Sequence, residues 1–401
     1  MKLVFFTHPG FLNHRSMPRF AGILVRGMLD RGHDVEVWTA APVFSRLPVP
    51  RALRKWLGYL DQFVCFPFTV RKRLRNCPPD TLFVFTDQAL GPWFRQVSGR
   101  PHVFHCHDFL AQRSAQGEIP ENPTGWTGRR YQALIRDGFS RGTCFISVSG
   151  ATRADLHRAL PRRPLLSEVV YNPLEKTFLP GDPEKARTTI GIRTRLDTGR
   201  GYLLHVGGNQ WNKNRTGVLE IYQAWRERTR HPLPLILVGE RPSPELAGRL
   251  EVSPFRADIA LVTGATDDLV RAAYSGASVL LFPSLAEGFG WPIAEAMACG
   301  CPVITTGEAP MTEVGGTAGF YIPRKDGGDW ASRSAGILEH VVTLLPGDRN
   351  AAIRAGLENA RRFEPEPILD RIESLYRQVL SMEGSASIDR KDENPLHHTH
   401  V

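Results

Sequence analysis

Residues 283–304 read P-S-L-A-E-G-F-G-W-P-I-A-E-A-M-A-C-G-C-P-V-I, and this stretch decides the fold more than any other part of the chain. The apolar run before it, Val279 to Phe282, predicts a buried parallel strand. Pro292 suits the first turn of a helix, where its missing N–H is not needed, and Gly300 is placed to end that helix. The stretch therefore predicts strand, glycine-rich loop, helix and a second strand at 302–304, which is the repeating unit of an α/β domain.

Two carboxylates lie eight positions apart in this unit. Glu287 precedes the predicted helix, and Glu295 lies about one turn into it. A helix N-terminus that opens onto a loop with Gly288 and Gly290 presents N–H groups and a positive dipole end, which suit an anion such as a diphosphate. The spacing therefore indicates one carboxylate for a transferred group and another for a diol such as a ribose.

The segment resembles the Glu-x7-Glu signature of the retaining nucleotide-sugar glycosyltransferases of glycosyltransferase family 4. An ordinary strand–loop–helix crossover with two solvated glutamates is the alternative, and it does not explain why the glycines and the proline match as well. The resemblance implies an α/β GT-B fold: two Rossmann-like doubly wound domains facing a central cleft, with a C-terminal helix crossing back to the first domain. It also implies that the nucleotide sugar binds the second domain, that the acceptor binds the first, and that the anomeric configuration is retained.

A second stretch, residues 207–215, reads G-G-N-Q-W-N-K-N-R and follows a predicted strand at 202–206. Two glycines let the backbone approach a ligand closely, and Lys213 offers a compact positive charge for a departing diphosphate. Family 4 enzymes usually carry an arginine just after the glycine, but Gly208 or Asn209 stands there. Spacing leaves open whether Arg215 replaces it. We expect the donor to contact Gly208, Asn209, Lys213, Arg215, Glu287, Gly288, Phe289, Gly290 and Glu295.

The first domain carries the acceptor-side candidates. His107 and Asp108 end a predicted strand at 102–106, and Gly10 lies in the loop after the first strand, at the sheet edge where ligands of open α/β sheets bind. His107 resembles the family's cleft histidine beside the reaction centre. We therefore expect Glu287, Lys213 and His107 to be catalytic and Gly10, His107 and Asp108 to face the acceptor. His8 is a weaker candidate, and His105, in the middle of its strand, is expected to be packed.

Other kinds of site fit the sequence less well. The chain has neither an Asp-x-Asp at a strand end nor a His/Cys cluster with ligand spacing, so we expect no metal and no cofactor, the nucleotide sugar being a substrate. A glycosidase-like carboxylate pair would not need a phosphate-binding loop. A nicotinamide-dependent oxidoreductase would carry G-x-G-x-x-G after the first strand, where His8-Pro9-Gly10-Phe11 stands. A sugar-nucleotide epimerase, a phosphorylase and a non-catalytic sugar-nucleotide-binding protein remain open alternatives.

The 401 residues exceed what one core usually serves. We predict an N-terminal domain at 1–180, a second domain at 181–360, a crossover helix at 361–380 and a disordered tail at 381–401. The net charge is +9, and all of the excess positive charge lies in residues 1–180. This asymmetry predicts an anionic partner for the first domain.

Residues 51–76 interrupt the strand–helix alternation. Two aromatic runs, W-L-G-Y-L and F-V-C-F, are flanked by basic residues, with Asp61 as the acidic exception. The basic residues are Arg51, Arg54, Lys55, Arg71, Lys72, Arg73 and Arg75. This pattern is typical of segments that bind an anionic membrane surface, although a helix packed on the first sheet with a solvated basic edge also fits.

Composition sets the remaining expectations. The hydrophobic share of 42% and charged share of 23% are those of globular proteins, and no apolar stretch reaches the length of a membrane span. The six cysteines show no C-x-x-C spacing, which predicts buried thiols in a reducing compartment. We expect a cytoplasmic enzyme, peripheral on the inner face of the membrane, with a saccharide or lipid-linked acceptor from envelope polysaccharide or glycolipid assembly and no nucleic-acid partner.

Overall fold

The computed structural model describes residues 1–12 and 16–392 and divides into two compact units. The first comprises Met1–Tyr171 and the chain from Glu366 onward, and the second comprises Asn172–Pro365. The second unit begins at Asn172 rather than at the predicted 181, because the connecting segment packs on it. Leu174 donates its N–H to the Phe363 carbonyl at 2.8 Å, and the Phe178 ring lies 6.3 Å from that of Tyr274.

The first unit is built on a six-stranded sheet in which every pair of neighbours is parallel. Apolar runs such as Leu3 to Phe6 are buried on both faces, which is why they form central strands. The strands are β1 (Lys2–Phe6), β2 (Asp34–Trp38), β3 (Leu82–Phe85), β4 (His102–Cys106), β5 (Cys144–Ser147) and β6 (Leu166–Val169). Their order is β2-β1-β3-β4-β5-β6.

One face of this sheet is covered by stacked aromatic rings. Phe6 stacks on Phe85 with centroids 4.5 Å apart, Phe85 on Phe104 at 4.4 Å, and Phe104 on Phe145 at 5.7 Å. Four successive strands of the sheet order are thereby held in register by large apolar contacts. The helices of this unit are α1 (Ser16–Asp30), α2 (Arg51–Leu60), α3 (Phe66–Leu74), α4 (Leu110–Gln116), α5 (Trp126–Phe139) and α6 (Gly150–Ala159), with a π-helical turn, Asp61–Cys65, joining α2 to α3.

The second unit repeats the architecture with a different strand order. Its six parallel strands are β7 (Leu203–Gly207), β8 (Leu235–Gly239), β9 (Ile259–Thr263), β10 (Val279–Phe282), β11 (Val303–Thr306) and β12 (Phe320–Ile322). Their order is β12-β11-β10-β7-β8-β9. The helices are α7 (Pro183–Thr194), α8 (Arg215–Arg226), α9 (Pro244–Glu251), α10 (Asp267–Gly276), α11 (Trp291–Ala298), α12 (Met311–Gly315), α13 (Trp330–Val342) and α14 (Pro346–Ala360).

The strand orders indicate where each sheet is expected to bind a ligand. In each sheet the order reverses between two adjacent strands, β1 and β3 in the first unit and β7 and β10 in the second. Open α/β sheets bind ligands outside the carboxyl ends of the strands at such a switch point. The loops after these four strands are therefore where functional side chains should gather.

The last helix, α15 (Pro365–Asp392), returns the chain to the first unit, as predicted. Arg31 bonds the Asp370 carboxylate at 2.6 Å, and the Tyr376 hydroxyl bonds His105 Nε2 at 2.7 Å. The helix continues to Asp392, past the predicted end at 380, because the segment contains no proline to interrupt it. Residues 393–401 of the predicted tail lie outside the described residues.

Two composition-based expectations can be compared with the structure. Of the six cysteines, Cys106, Cys144, Cys299 and Cys301 are buried as predicted, whereas Cys65 and Cys77 are half-buried. Within residues 1–12 and 16–392, no helix combines the length and apolar character that crossing a bilayer requires.

Candidate active site

The predicted strand–loop–helix unit is present between β10 and α11. Gly290 immediately precedes the helix with φ at +100°, a backbone conformation that residues with a side chain rarely adopt. A Cβ added there would lie 3.1 Å from Ile293 Cδ1. Pro292 occupies the first turn of α11, and Gly300 follows its end with φ at +78°. The turn therefore requires glycine at position 290 for geometric reasons alone.

Lys213 and Glu287, predicted from two separate stretches, form an ion pair. Lys213 Nζ lies 2.7 and 2.8 Å from the two carboxylate oxygens of Glu287, and Ser284 Oγ donates to one of them at 2.5 Å. The Glu287 side chain is 8% exposed and that of Lys213 is 21% exposed. Because Lys213 follows β7 and Glu287 follows β10, the pair lies at the switch point of the second sheet.

Asparagine side chains fix the two loops that carry this pair. Asn212 Nδ2 donates to the Ala286 carbonyl at 2.7 Å, and the Asn212 carbonyl accepts from Leu285 N–H at 2.7 Å. Asn214, in the left-handed region at φ +49°, caps α8 through the Gly217 N–H and donates to the Pro283 carbonyl at 3.0 Å. The Lys213–Glu287 distance is thus set by hydrogen bonds of the loops themselves.

Arg215 is the first residue of α8, directly after this loop, and is buried. Its Nη1 donates to Asn209 Oδ1 at 2.7 Å and to the Glu240 carbonyl at 3.0 Å, whereas its Nε and Nη2 have no hydrogen-bond partner among the described residues. Burial lowers the pKa of the guanidinium, and the Glu240 charge acts against that decrease. An arginine stays charged in proteins, so Arg215 brings two unsatisfied donors to an edge suited to an anion.

His205 lies on β7 beneath the glycine pair and was not predicted. Its Nδ1 donates to the Leu281 carbonyl at 3.0 Å, and burial, together with the charges of Arg215 and Lys213, lowers the pKa of the ring to about 3. The imidazole is therefore neutral, with Nε2 as an acceptor. A Cβ on Gly207 would lie 2.9 Å from Nε2, which explains the glycine at this position.

Glu295 occupies a different environment from Glu287. It is 4% exposed and accepts a hydrogen bond from the Tyr274 hydroxyl of α10 at 2.9 Å. Burial raises the pKa of Tyr274, and the Glu295 charge raises it further, so the hydroxyl stays a donor. The Phe289 ring is buried and packs 5.4 Å from that of Phe363. Phe289 can therefore contribute to an anion site only through its backbone.

A second polar pair, which the sequence did not predict as a pair, lies in the first unit. His8 Nε2 donates to Asp87 Oδ2 at 2.8 Å, and Asp87 Oδ1 accepts the Ala89 N–H at 2.9 Å. His8 follows β1 and Asp87 follows β3, so this pair lies at the switch point of the first sheet. Burial alone would raise the pKa of Asp87, but the hydrogen bond and charge of His8, the charge of His107 and the Ala89 N–H together outweigh it, and the pKa lies below its ordinary value.

The side chains of His107 and Asp108 form hydrogen bonds within the first unit, and Gly10 lies in an exposed turn. His107 is 6% exposed, its Nε2 donates to the Thr86 carbonyl at 2.9 Å, and its ring lies 4.4 Å from that of Phe20. Asp108 Oδ1 accepts the N–H of Leu110, the first residue of α4, at 3.0 Å. Gly10 begins an exposed turn in which an added Cβ would meet nothing within 4 Å. His105 is packed, as predicted, and burial lowers its pKa to about 3.

Two family models match the chain. The model described as Glycosyltransferase Family 4 matches residues 17–177, and the model described as Glycosyl transferases group 1 matches residues 200–340. The first match begins after β1 and His8 and covers β2 to β6 with Asp87, and the second covers β7 to β12 with Lys213 and Glu287. The chain belongs to the group 1 glycosyltransferases of family 4.

Known proteins resemble this glycosyltransferase to different extents. It is 33% identical over 171 residues to O-antigen chain mannosyltransferase B of Escherichia coli, and the aligned region covers 42% of this chain and 43% of that one. It is 26% identical over 400 residues to the D-inositol 3-phosphate glycosyltransferase of Mycolicibacterium vanbaalenii, and that aligned region covers 88% of this chain and 83% of that one. The match thus spans less than half the length of the E. coli relative.

Solved structures show the same GT-B fold. HepE of Anabaena, crystallised with UDP, aligns with a TM-score of 0.69 at 17% identity over 94% of this chain and all of that chain. WaaG, a glycosyltransferase involved in lipopolysaccharide biosynthesis, aligns with a TM-score of 0.68 at 19% identity over 92% of this chain and 99% of that chain. The GT-B fold expected for this glycosyltransferase is therefore confirmed.

Within the described residues, no three His, Cys, Asp or Glu side chains approach closely enough to hold a metal ion. Lys213 and Arg215 are the basic side chains that the structure places beside Glu287 and Asn209. Metal-independent transfer stays a prediction for this glycosyltransferase, since only an assay can test it.

Proposed function

We propose that this glycosyltransferase moves a sugar from a nucleotide-sugar donor to a saccharide or lipid-linked acceptor, with retention of the anomeric configuration and without a metal ion. The observation that supports the proposal best is the Lys213–Glu287 ion pair at the switch point of the second sheet. We place the enzyme in envelope polysaccharide or glycolipid assembly, at the cytoplasmic face of a membrane that it contacts through residues 51–76.

The chemistry assigns a separate task to each charged group. The bond between the anomeric carbon and the diphosphate breaks, and Lys213 and Arg215 stabilise the charge that develops on the departing phosphates. Glu287 keeps Lys213 in position through two hydrogen bonds and contacts the transferred sugar. The acceptor oxygen then bonds to the same carbon, and its proton leaves with the diphosphate. Glu295 contacts the ribose of the donor.

The relatives support the class of donor and acceptor. HepE has been crystallised with UDP-glucose, WaaG is involved in lipopolysaccharide biosynthesis, and the E. coli relative is an O-antigen chain mannosyltransferase. One of these proteins thus binds a nucleotide sugar, one takes part in lipopolysaccharide biosynthesis, and one transfers mannose for the O-antigen chain. We extend that class, but neither the base nor the sugar, to this chain.

The proposal is tested by nucleoside diphosphate release from a panel of UDP-, GDP-, ADP- and dTDP-sugars chosen by thermal shift. Lys213→Ala should lower kcat by roughly a hundredfold to a thousandfold, the usual effect of losing one group that stabilises transition-state charge. Lys325→Ala is the matched control, because Lys325 forms a similar pair with Glu220 at 2.7 Å in the same unit. Its activity should equal that of the wild type.

Four outcomes would contradict all or part of the proposal. Full activity of Lys213→Ala would exclude the role of this lysine. Conversion of the sugar in the absence of any acceptor would indicate an epimerase. Donor binding without nucleoside diphosphate release with any acceptor fraction would indicate a non-catalytic binding protein. Activity that chelators abolish and added metal restores would overturn metal-independent transfer while leaving the transferase itself in place.

A further inference from the structure

Large apolar side chains are exposed along one face of the helix pair α2 and α3. Trp56, Leu60, Val64 and Phe68 recur at every fourth position, which places them on one side of a continuous helical segment. Each is at least 43% exposed, and Phe68 is 65% exposed. Contiguous exposed apolar surface of this kind marks an interaction site in a globular protein.

Helix α5 carries a second apolar stripe that the sequence did not suggest. Trp126 and Leu134 are 70% and 42% exposed, and Arg130, which lies between them at the same four-residue spacing, holds its guanidinium 5.3 Å from the Trp126 ring centre. Both helical segments therefore present a tryptophan near their N-terminal end. Tryptophan is the side chain best suited to the boundary between lipid headgroups and acyl chains.

Contacts within the first unit join the two stripes. The Tyr131 ring of α5 lies 5.6 Å from that of Tyr59 and 6.0 Å from that of Phe63. A groove of about 340 Å³ runs between α3, the segment Gln88–Gln96 and α5, and Phe68 and Leu134 line it. We call the surface formed by Trp56, Leu60, Val64, Phe68, Trp126 and Leu134 the two-helix face.

Positive charge borders the two-helix face. Arg71 lies 6.0 Å from the Phe68 ring centre and Arg130 lies 5.3 Å from that of Trp126, and Lys72, Arg129 and Arg136 are exposed on the same helices. The acidic residues of these elements are already engaged. Asp61 is fully buried and accepts the N–H groups of Phe44 and Ser45 at 2.8 and 3.0 Å, and Asp137 is paired with Arg95 and Arg141. The side chains of Arg51, Arg54 and Lys55 lie outside the described residues.

We propose that the two-helix face binds the surface of an anionic phospholipid bilayer. This inference rests on the proposed function and extends its membrane contact from residues 51–76 to α5 and the groove. The apolar side chains enter the headgroup–acyl boundary, the groove receives one hydrocarbon chain, and the bordering arginines and lysine meet lipid phosphates. Charge complementarity favours anionic lipid over a second copy of this basic chain.

The experiment is co-sedimentation of the full chain with vesicles of phosphatidylcholine, with and without phosphatidylglycerol, at about 0.1 M salt. Trp126→Ser combined with Leu134→Ser should lower the partition coefficient at least about tenfold, since two large apolar side chains no longer leave water. Val64→Ser combined with Phe68→Ser should act similarly. Trp126→Phe, which keeps an apolar ring, should bind nearly as the wild type does.

The matched control is Leu179→Ser combined with Ile192→Ser, because these apolar side chains are 61% and 77% exposed but lie in the second unit. Its vesicle binding should not change. Equal binding of the α5 double variant and the wild type, or a lack of preference for phosphatidylglycerol, would overturn the proposal. So would dimerisation in sedimentation velocity that the same variants abolish while vesicle binding stays.

Thermal unfolding of each variant should occur within a few degrees of the wild type, because the substituted side chains are exposed. Nucleoside diphosphate release from a soluble saccharide acceptor separates this proposal from the proposed function. If vesicle binding fails while release proceeds, only the two-helix face is wrong. If release fails in every acceptor fraction while vesicle binding holds, the transferase assignment is wrong and the membrane surface stands.

Discussion

The two units place the same kind of feature at corresponding points of their sheets. In the second unit Lys213 and Glu287 bridge the loops after β7 and β10, and in the first His8 and Asp87 bridge those after β1 and β3. The lysine supplies a fixed positive charge, whereas an imidazole both donates and accepts protons. The Lys213–Glu287 pair suits a phosphate and the His8–Asp87 pair suits a hydroxyl, so we expect the donor to bind the second unit and the acceptor to bind the first.

The largest expected effect follows from Glu287→Ala. Removing the carboxylate leaves Lys213 without its partner and removes the proposed contact with the transferred sugar, so turnover should fall about a thousandfold or more. The measurement is nucleoside diphosphate release at saturating donor. Glu220→Ala, which breaks the Lys325 pair of the same unit, is the control. If both variants retain activity, the two Lys–Glu pairs are equivalent and the switch-point pair has no special role.

A smaller effect is expected from Asp87→Asn in the first unit. If His8 exchanges a proton with the acceptor hydroxyl, losing the negative charge beside it should lower kcat about tenfold to a hundredfold without changing donor KM. The measurement is steady-state kinetics with donor and acceptor varied separately. Asp326→Asn, at an exposed aspartate paired with Arg333, should leave both parameters unchanged. A rise in donor KM with unchanged kcat would break the assignment of the acceptor to this pair.

Asp87→Asn should also change how the stability of the folded chain depends on pH, and this can be measured without an activity assay. Because the pKa of Asp87 is lowered in the folded chain, the unfolded chain binds more protons between that pKa and about 4. The stabilisation is complete above about pH 4 and is lost as pH falls through the folded-state pKa. Thermal unfolding between about pH 2 and 5 should therefore show a flatter acid dependence for Asp87→Asn than for the wild type.

The contrast between the pairs also explains how far the sequence could predict the site. Lys213 follows an apolar strand and a glycine pair, and Glu287 lies in a pattern of glycine, proline and apolar residues, so each could be predicted from its own stretch. His8 and Asp87 are 79 positions apart, and Asp87 lies in no such pattern. Only the strand order, which brings β1 beside β3, makes them neighbours.

Burial is the other property that the sequence did not reveal. His107 ends a strand, as the acceptor-side prediction requires, but the neighbouring Thr86 carbonyl takes its Nε2 and the Phe20 ring covers it. Glu295 has the predicted spacing from Glu287, but its depth is set by α10, which supplies Tyr274. Helix and strand positions thus follow from local patterns, whereas side-chain partners follow from packing between elements distant in sequence.

The smallest expected effect concerns the Tyr274–Glu295 hydrogen bond in the second unit. Tyr274→Phe removes the hydroxyl that holds the Glu295 carboxylate, a hydrogen bond worth about 1 kcal/mol, so donor KM should rise about fivefold with little change in kcat. Tyr222→Phe is the control, because its buried hydroxyl bonds the Leu233 carbonyl at 3.1 Å, and its loss should lower stability without changing KM. Glu295→Ala should weaken donor binding further. If Tyr274→Phe and Tyr222→Phe behave alike, Glu295 is a structural carboxylate, and donor contact at this edge is left to Lys213, Arg215 and Glu287.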